Sequence, residues 1–217
     1  VLFVVDSPGG SVVGSQEIYR AVKNLSKPKV AYFRETAASG AYYLSTGADY
    51  IISEPSALTG SIGVIMTLAD LSGLFEKIGY NMTDIISGES KDMGSPGRPL
   101  TAKERTILQT LVDEIFQDFK SAVISNRGSR LNMAKFNEIL DGRVVSGKQA
   151  REIGLVDAVG SKQDAILKAA QMGNITDAEP RLCEISTSSG SGGLFGASSM
   201  LGGLFSQTQK KVSVKYE

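Results

Sequence analysis

Apolar residues follow two periods along this chain, one typical of buried strands and one typical of helices. The chain opens with the apolar run 1–5, which predicts a strand buried on both faces. Ile18, Val22 and Leu25 then recur at helical spacing, and residues 29–33 return to a strand pattern. This alternation predicts an α/β fold with a largely parallel sheet covered by helices.

The same patterns extend through the rest of the chain. They predict strands at 50–52, 61–66, 81–86 and 155–159, and helices at 41–47, 71–78, 133–140, 147–153 and up to residue 172. A long helix begins after Thr101, because Glu104 completes a capping box. Residues 87–100, rich in glycine and proline, predict a long irregular loop. We therefore expect one domain over 1–172, followed by a C-terminal strand and a Gly/Ser-rich tail over 173–217.

Composition narrows the chemistry that this chain can perform. Its 23 basic and 23 acidic residues cancel, so nucleic acid is not expected as a partner. The absence of histidine excludes a Ser-His-Asp triad and any histidine-ligated metal. Cys183, the one cysteine, allows neither an internal disulfide nor a cysteine zinc cluster, and we interpret it as a small apolar residue of a strand. Proton transfer must therefore use carboxylate, lysine, tyrosine or water.

Three loops of small residues, 7–11, 36–40 and 59–63, each lie just beyond a predicted strand. Ligands of open parallel sheets bind outside the carboxyl ends of the strands, so these loops should converge. Ser39 is either a nucleophile, with the Gly40 N–H available to an oxyanion, or a helix N-cap. Gly9-Gly10 lacks the Walker A context and is also compatible with a plain tight turn. Lys91 is either a solvated charge or the base that an activated serine needs here.

Four ordered motifs resemble the signal peptide peptidase A family, the S49 peptidases. They are Asp-Ser-Pro-Gly-Gly (6–10), Ala-Ala-Ser-Gly-Ala-Tyr-Tyr (37–43), Leu-Thr-Gly-Ser-Ile-Gly-Val (58–64) and Ser-Gly-Glu-Ser-Lys-Asp-Met-Gly-Ser-Pro (87–96). Weaker similarity continues through 141–144 to about residue 172. The resemblance implies an α/β fold related to crotonase and Clp protease. It also implies a serine endopeptidase that degrades remnant signal peptides and uses neither metal nor cofactor.

The resemblance also implies a role for each site residue. Ser39 would be the nucleophile and Lys91 the general base, with Ser61 orienting Lys91 through a hydrogen bond. The backbone N–H groups of Gly9 and Gly40 would form the oxyanion hole. The chain is half-length compared with the tandem-repeat members of the family. We therefore expect a ring-like homo-oligomer in which Ser39 and Lys91 meet across a subunit boundary.

The family resemblance further implies a location at the cell membrane. The attachment would be peripheral, or through an N-terminal anchor that this chain lacks, with the catalytic domain on the extracytoplasmic side. The Gly/Ser-rich stretch 186–206 contains apolar pairs between small residues. We expect this stretch to be mobile, and either a self-processing substrate or a tail of no consequence.

Three other functions stay open at this point. The first is a stomatin-operon-type membrane protease, which would use the same Ser/Lys catalytic dyad. The second is a crotonase-like acyl-CoA enzyme, which would have a similar oxyanion hole and needs no Ser/Lys pair. The third is a non-catalytic scaffold. A Ser/Lys mechanism further requires that Glu89 and Asp92 point away from Lys91, because an adjacent carboxylate favours the charged form of an amine.

Overall fold

An eight-stranded sheet organises the fold in the computed structural model, which describes residues 1–177, 180–185 and 213–216. Its strands are β1 (Leu2–Ser7), β2 (Val30–Ala38), β3 (Tyr50–Ser53), β4 (Leu58–Gly60), β5 (Val144–Ser146), β6 (Ala158–Val159), β7 (Cys183–Ile185) and β8 (Ser213–Tyr216). The helices are α1 (Val12–Asn24), α2 (Gly40–Ser45), α3 (Ser72–Lys77), α4 (Ala102–Arg127), α5 (Met133–Glu138), α6 (Gly147–Ile153) and α7 (Lys162–Met172). A 3-10 turn, Gly128–Arg130, follows α4. The stretch 186–206, expected to be a mobile tail, lies outside the described residues.

Strand β2 is the branching point of the sheet. It runs parallel to β1 along one side, to β3 through residues 30–33 and to β4 through residues 36–38. β6 extends the parallel part beside β3, whereas β8, β7 and β5 are added antiparallel. The α/β fold predicted from the sequence is therefore confirmed, with a parallel centre and antiparallel margins.

One hydrophobic cluster packs α7 against the start of the parallel strands. It contains Leu2, Val30, Tyr32 and Ile52 of the sheet together with Ala165 and Ile166 of α7. Fully burying an aliphatic side chain of this size contributes about 1.5–3 kcal/mol, so this cluster is a main source of stability for the sheet. It lies at the amino ends of the parallel strands and leaves their carboxyl ends free for other contacts.

The chain divides into two compact units. The first, here called the sheet unit, comprises residues 1–62 and 120–217 and holds every strand that the structure describes. The second, here called the insert unit, comprises residues 63–119 and contains α3 and the first part of α4. The boundary predicted at residues 172 and 173 is a different division, and it stays a prediction.

Several predicted elements differ from the structure. The strand predicted at 61–66 is wrong, because the backbone turns at Gly60 (φ 77°) and Ser61 (φ 49°) and β4 ends there. The strand predicted at 81–86 is also wrong: this segment has no regular structure, and Ile85 is 99% exposed. Of the strand predicted at 155–159, only residues 158–159 form a strand, which is β6. Ile18, expected on the buried face of α1, is exposed.

The capping box of α4 is confirmed. The Thr101 N–H donates to Glu104 Oε2 at 2.9 Å, and the Glu104 N–H donates to Thr101 Oγ1 at 3.2 Å. These two hydrogen bonds satisfy donors that have no partner within the helix. The start of α4 is therefore fixed by a local sequence signal.

The end of α4 is held by a buried ion pair in the sheet unit. Arg127 is 2% exposed and donates to both carboxylate oxygens of Asp157 at 2.9 Å, and to the Gly154 carbonyl. Asp157 also accepts the Ile51 N–H at 2.8 Å. One carboxylate thus joins α4, β3 and the segment that precedes β6.

Candidate active site

The three small-residue segments leave the sheet unit at one edge, although their first residues belong to the strands rather than to loops: residue 7 to β1, 36–38 to β2 and 59–60 to β4. Ser7 at the end of β1 is in register with Ala37, and Ala38 at the end of β2 is in register with Gly60 at the end of β4. Because the three strands are parallel neighbours, the residues that follow them emerge side by side. The predicted convergence of these loops is confirmed.

Ser39 lies at the apex of a sharp strand-to-helix turn. Its backbone has φ 53° and ψ −124°, a region that residues with a side chain rarely adopt and that costs about 1–3 kcal/mol. The Ser39 N–H donates to the Gly60 carbonyl at 2.9 Å, which holds the turn against β4. The hydroxyl makes no capping hydrogen bond to α2, so a plain N-cap does not explain the residue. A serine at such a turn presents its Oγ beyond the sheet edge.

Space for a side chain is restricted at both predicted oxyanion-hole positions. Gly9 has φ 109°, and a Cβ there would lie 2.8 Å from the Gly40 nitrogen and 3.0 Å from Ser39 Cβ. A Cβ on Gly40 would overlap the Ser15 hydroxyl on α1. The backbones of Gly9 and Gly40 therefore lie in direct contact beside Ser39, as a two-donor oxyanion hole needs.

The Gly9 N–H already has an acceptor in this structure. It donates to Ser7 Oγ at 3.2 Å, and the Ser7 hydroxyl contacts the Gly9 carbonyl oxygen at 3.4 Å. For Gly9 to bind a substrate oxygen, the hydroxyl of Ser7 must give up this hydrogen bond.

Ser61 occupies the position after β4 that Ser39 occupies after β2. It also has a positive φ, 49°, and its N–H donates to the Arg143 carbonyl at 2.9 Å. The structure thus brings together four of the five predicted site residues: Gly9, Ser39, Gly40 and Ser61. Their individual roles stay predictions.

Lys91, the fifth predicted residue, belongs to the insert unit. It lies in a series of turns over residues 88–94, where its N–H donates to the Gly88 carbonyl at 2.9 Å. Its side chain is exposed in the single chain. The glycine- and proline-rich loop predicted over 87–100 is confirmed, since it contains neither helix nor strand.

The two carboxylates beside Lys91 are bound by other cations of the insert unit. Arg98 Nε donates to Asp92 Oδ2 at 2.7 Å and Nη2 to Oδ1 at 2.8 Å. Arg98 also donates through Nη1 to Glu104 Oε2 at 2.9 Å, and Glu89 accepts from Lys103 at 2.7 Å. The hydrogen bonds from Arg98 lower the pKa of Asp92, and those from Arg98 and Thr101 lower the pKa of Glu104 to about 2. The expectation that both neighbours of Lys91 point away from it agrees with these ion pairs.

Sequence reasoning did not identify Ser7, Ser15 or Arg98. Ser7 stands in the first motif, but nothing in the sequence shows that its hydroxyl turns back onto Gly9. Ser15 is a polar residue on a helix and becomes significant only through its contact with Gly40. The spacing of Arg98 from Asp92 and Glu104, six residues on each side, is the one signal that could have suggested a shared ion pair.

No group of three or more His, Cys, Asp or Glu side chains able to hold a metal occurs in the described part of the chain. Within the same residues, none of the helices has both the length and the apolar character needed to span a lipid bilayer.

Comparison with known proteins identifies the family. The profile of Peptidase family S49 matches residues 21–176. The chain belongs to peptidase family S49. The matched region contains Ser39, Gly40, Ser61 and Lys91, and Gly9 lies before it. Membership in the S49 family also confirms the crotonase- and Clp-protease-like α/β fold that the resemblance implies.

Three relatives of this S49 chain illustrate the similarity. It is 42% identical to the "putative protease" of Methanocaldococcus jannaschii, over 93% of this chain and 64% of that protein. It is 39% identical to the "putative signal peptide peptidase" of Enterococcus faecium, over 82% and 52% of the two chains. It is 37% identical to a chloroplastic serine protease of Arabidopsis thaliana, over 79% and 25%. The chain therefore spans less than two thirds of the length of these relatives.

Proposed function

We propose that this chain is the catalytic part of a serine endopeptidase, with Ser39 as nucleophile and Lys91 as general base. The observation that carries the proposal is the turn at Ser39, with its positive φ and its uncapped hydroxyl beside the backbones of Gly9 and Gly40. Membership in family S49 and the protease names of the relatives support the same activity. With no histidine in the chain, lysine is the strongest basic group that can accept the serine proton.

The proposed reaction proceeds through an acyl-enzyme. The neutral amine of Lys91 takes the Ser39 proton as Oγ attacks the scissile carbonyl carbon. The N–H groups of Gly9 and Gly40 donate to the resulting oxyanion. Lys91 then protonates the leaving amine, and the carbonyl re-forms as an ester on Ser39. Water loses a proton to Lys91 and attacks the ester carbonyl carbon. As the bond to Ser39 Oγ breaks and the product acid leaves, Lys91 returns this proton to Oγ and becomes neutral again.

A lysine base must be kept away from water. A free lysine titrates near ~10.4, so a base that works at neutral pH needs a shift of roughly three units, or about 4 kcal/mol. Lys91 is exposed in the single chain, so another surface must exclude water from its amine. We propose that a second copy supplies it in a ring-like homo-oligomer whose sites lie between subunits.

The surface of the insert unit supports self-association. Twelve of the twenty large apolar side chains that are exposed in the described residues belong to this unit, including Ile85 at 99% and Ile65 at 86%. Large exposed apolar patches are uncommon in monomers and mark interaction sites. A neighbouring subunit that covers this surface would also exclude water from the Lys91 loop.

Membrane-associated remnant signal peptides are the proposed substrates. The support is the family resemblance and the name of the Enterococcus faecium relative, a "putative signal peptide peptidase". The location at the extracytoplasmic side of the cell membrane rests on the resemblance alone. A stomatin-operon-type membrane protease with the same dyad is the second candidate, because it would use the same serine and lysine.

A fluorophosphonate probe and a casein assay test the activity. We expect the wild-type chain and the exposed-serine control Ser56→Ala to be labelled and active. Ser39→Ala should lose both labelling and activity, and Lys91→Ala should lose about 10²–10⁴-fold in rate, as expected for removal of a general base. Labelling at a serine other than Ser39 would contradict the proposal. Turnover of acyl-CoA without labelling of Ser39 and without hydrolysis of casein would favour the crotonase-like alternative.

A further inference from the structure

Asp92 follows Lys91 directly, so their Cα atoms are separated by one peptide unit, about 3.8 Å. A carboxylate this close can reach the lysine ammonium and favour its charged form, which would disable a base. In the structure the carboxylate is held elsewhere, by two hydrogen bonds from Arg98 at 2.7 and 2.8 Å. The Asp92 side chain is only 13% exposed, so the guanidinium is its main partner in place of water.

We propose that Arg98 is a positioning residue that binds the Asp92 carboxylate and so keeps this negative charge away from Lys91. The inference rests on the proposed function, in which Lys91 is the general base. The planar guanidinium suits this task, because its parallel N–H groups match both carboxylate oxygens and fix the direction of the pair. A lysine at position 98 would offer a point charge without this geometry.

Glu104 fixes the orientation of the Arg98 guanidinium. The Arg98 guanidinium also donates to Glu104, which is 5% exposed in its side chain and fixed by the capping box of α4. Arg98 is therefore anchored to the start of a helix on one side and holds Asp92 on the other. The pair is a rigid connection between α4 and the Lys91 turns.

Other charged groups of the insert unit also lie near Lys91. Asp84 lines the same shallow depression as Lys91 and accepts the Ser95 hydroxyl at 3.4 Å. Glu89 and Lys103 form a pair whose side chains are 79% and 64% exposed, so solvent screens it strongly. Asp92 differs from both carboxylates because it is adjacent to Lys91 and largely shielded from water.

The test is the pH profile of kcat/KM for four proteins: wild type, Arg98→Met, Arg98→Met/Asp92→Asn and the matched control Arg105→Met. Removing Arg98 frees the Asp92 carboxylate, which would favour the charged form of Lys91. We therefore expect the acidic limb of the kcat/KM profile to move to higher pH by about one unit, with about tenfold lower activity at neutral pH. The double variant has no Asp92 carboxylate to release, and Glu104 stays bound by Thr101, so the acidic limb of its pH profile should return to the wild-type position. Arg105→Met removes a cation from the same unit without freeing Asp92, and its limb should not move.

A purely structural role for Arg98 predicts a different outcome. The single and the double Arg98→Met variant would then lose activity equally, and the loss would follow the decrease in their thermal unfolding temperatures. Asp92→Asn would not return the acidic limb of the pH profile to the wild-type position. That result, or an unshifted limb in a folded Arg98→Met protein, would overturn the inference. Lys91→Ala distinguishes this failure from that of the proposed function: if Lys91→Ala keeps full activity, Lys91 is not the base.

Discussion

Two serines at the carboxyl edge of the sheet have positive φ values, 53° at Ser39 and 49° at Ser61. Such conformations are retained only where the surroundings impose them, and they concentrate at functional sites. Here the surroundings are the ends of β2 and β4, joined by the hydrogen bond from the Ser39 N–H to the Gly60 carbonyl. The strain thus lies at the residues to which the proposed mechanism gives roles.

Gly9 is a residue at which a single methyl group should damage the proposed oxyanion hole directly. Gly9→Ala would place Cβ 2.8 Å from the Gly40 nitrogen, at a φ of 109° that alanine rarely adopts. The two proposed oxyanion donors would separate, and loss of one such donor lowers kcat by about 10²–10³-fold. We expect a fall of this size in the casein assay.

Gly10→Ala is the matched control for Gly9→Ala. A Cβ on Gly10 meets nothing within 4 Å, so the same substitution one residue later should leave kcat close to wild type. Circular dichroism should show that both variants are folded. Equal losses of activity in the two variants would contradict an oxyanion-hole role for Gly9 specifically.

Part of the site could be predicted from single residues, and part could not. The small-residue motifs around Gly9, Ser39 and Ser61 are contiguous in sequence, and parallel strands bring them to one edge. The contacts of Ser15 with Gly40 and of Arg98 with Asp92 join residues whose side chains have no distinctive pattern of their own. Such contacts depend on how elements pack, so only the structure reveals them.

At the scale of elements, the buried pair of Arg127 and Asp157 should be the costliest ion pair of the described part of the sheet unit to break. Asp157→Asn would leave a guanidinium that is 2% exposed without its counter-charge. Breaking a buried ion pair in this way costs about 3–5 kcal/mol in the free energy of unfolding. Urea unfolding measures this change.

The exposed pair of Lys135 and Glu152 provides the comparison for the buried pair. Glu152→Gln removes a carboxylate from a solvated ion pair, which is worth less than about 1 kcal/mol. If the two substitutions changed the free energy of unfolding equally, burial would not be the source of the stability at Asp157.

The anchoring of the Lys91 loop to α4 should depend on acidity. Arg98 and Thr101 lower the pKa of Glu104 to about 2, below the value of about 4.3 for an unfolded glutamate. A lowered carboxyl pKa stabilises the folded state fully above the unfolded value, and the contribution is lost as the pH falls towards 2. Hydrogen-exchange protection of residues 88–98 should therefore be constant down to about pH 4.5 and decrease below it.

Glu104→Gln is the control for this pH dependence, because glutamine does not titrate. Its protection at residues 88–98 should be lower than wild type, and the decrease between about pH 4.5 and 2 should be smaller, because only the Asp92 carboxylate, whose pKa Arg98 also lowers, then titrates in the pair. The same decrease in both proteins would assign the pH dependence to another group.

Elements with local signals were predicted well, and elements that depend on tertiary pairing were not. The capping box at Thr101 and Glu104 marks the start of α4 in the sequence itself. Residues 81–86 have the apolar character of a strand, yet a strand exists only where a neighbour accepts its backbone hydrogen bonds. In the structure of the single chain no such neighbour pairs with these residues.

At the scale of the whole molecule, the exposed apolar side chains of the insert unit and the exposed Lys91 have one explanation in common. A neighbouring copy would bury the apolar surface and exclude water from the lysine. In a heterologous interface each site takes one part from each of two subunits, and a closed ring repeats this interface around an axis. The proposed ring therefore predicts that Ser39 and Lys91 of different copies can complement one another.

Mixing two inactive variants tests this complementation. Alone, Ser39→Ala should be inactive and Lys91→Ala should keep at most about 1% of the activity, since each site would lack one member of the dyad. In mixed rings an intact Lys91 from one variant would face an intact Ser39 from the other, and random assembly leaves about one in four interfaces intact. Co-refolded with different affinity tags, the mixture should recover about a quarter of wild-type casein hydrolysis, whereas each separate variant should stay at or below about 1%. If tandem purification showed mixed assemblies that stayed inactive, Ser39 and Lys91 would have to act within one subunit, and the apolar surface of the insert unit would need another occupant.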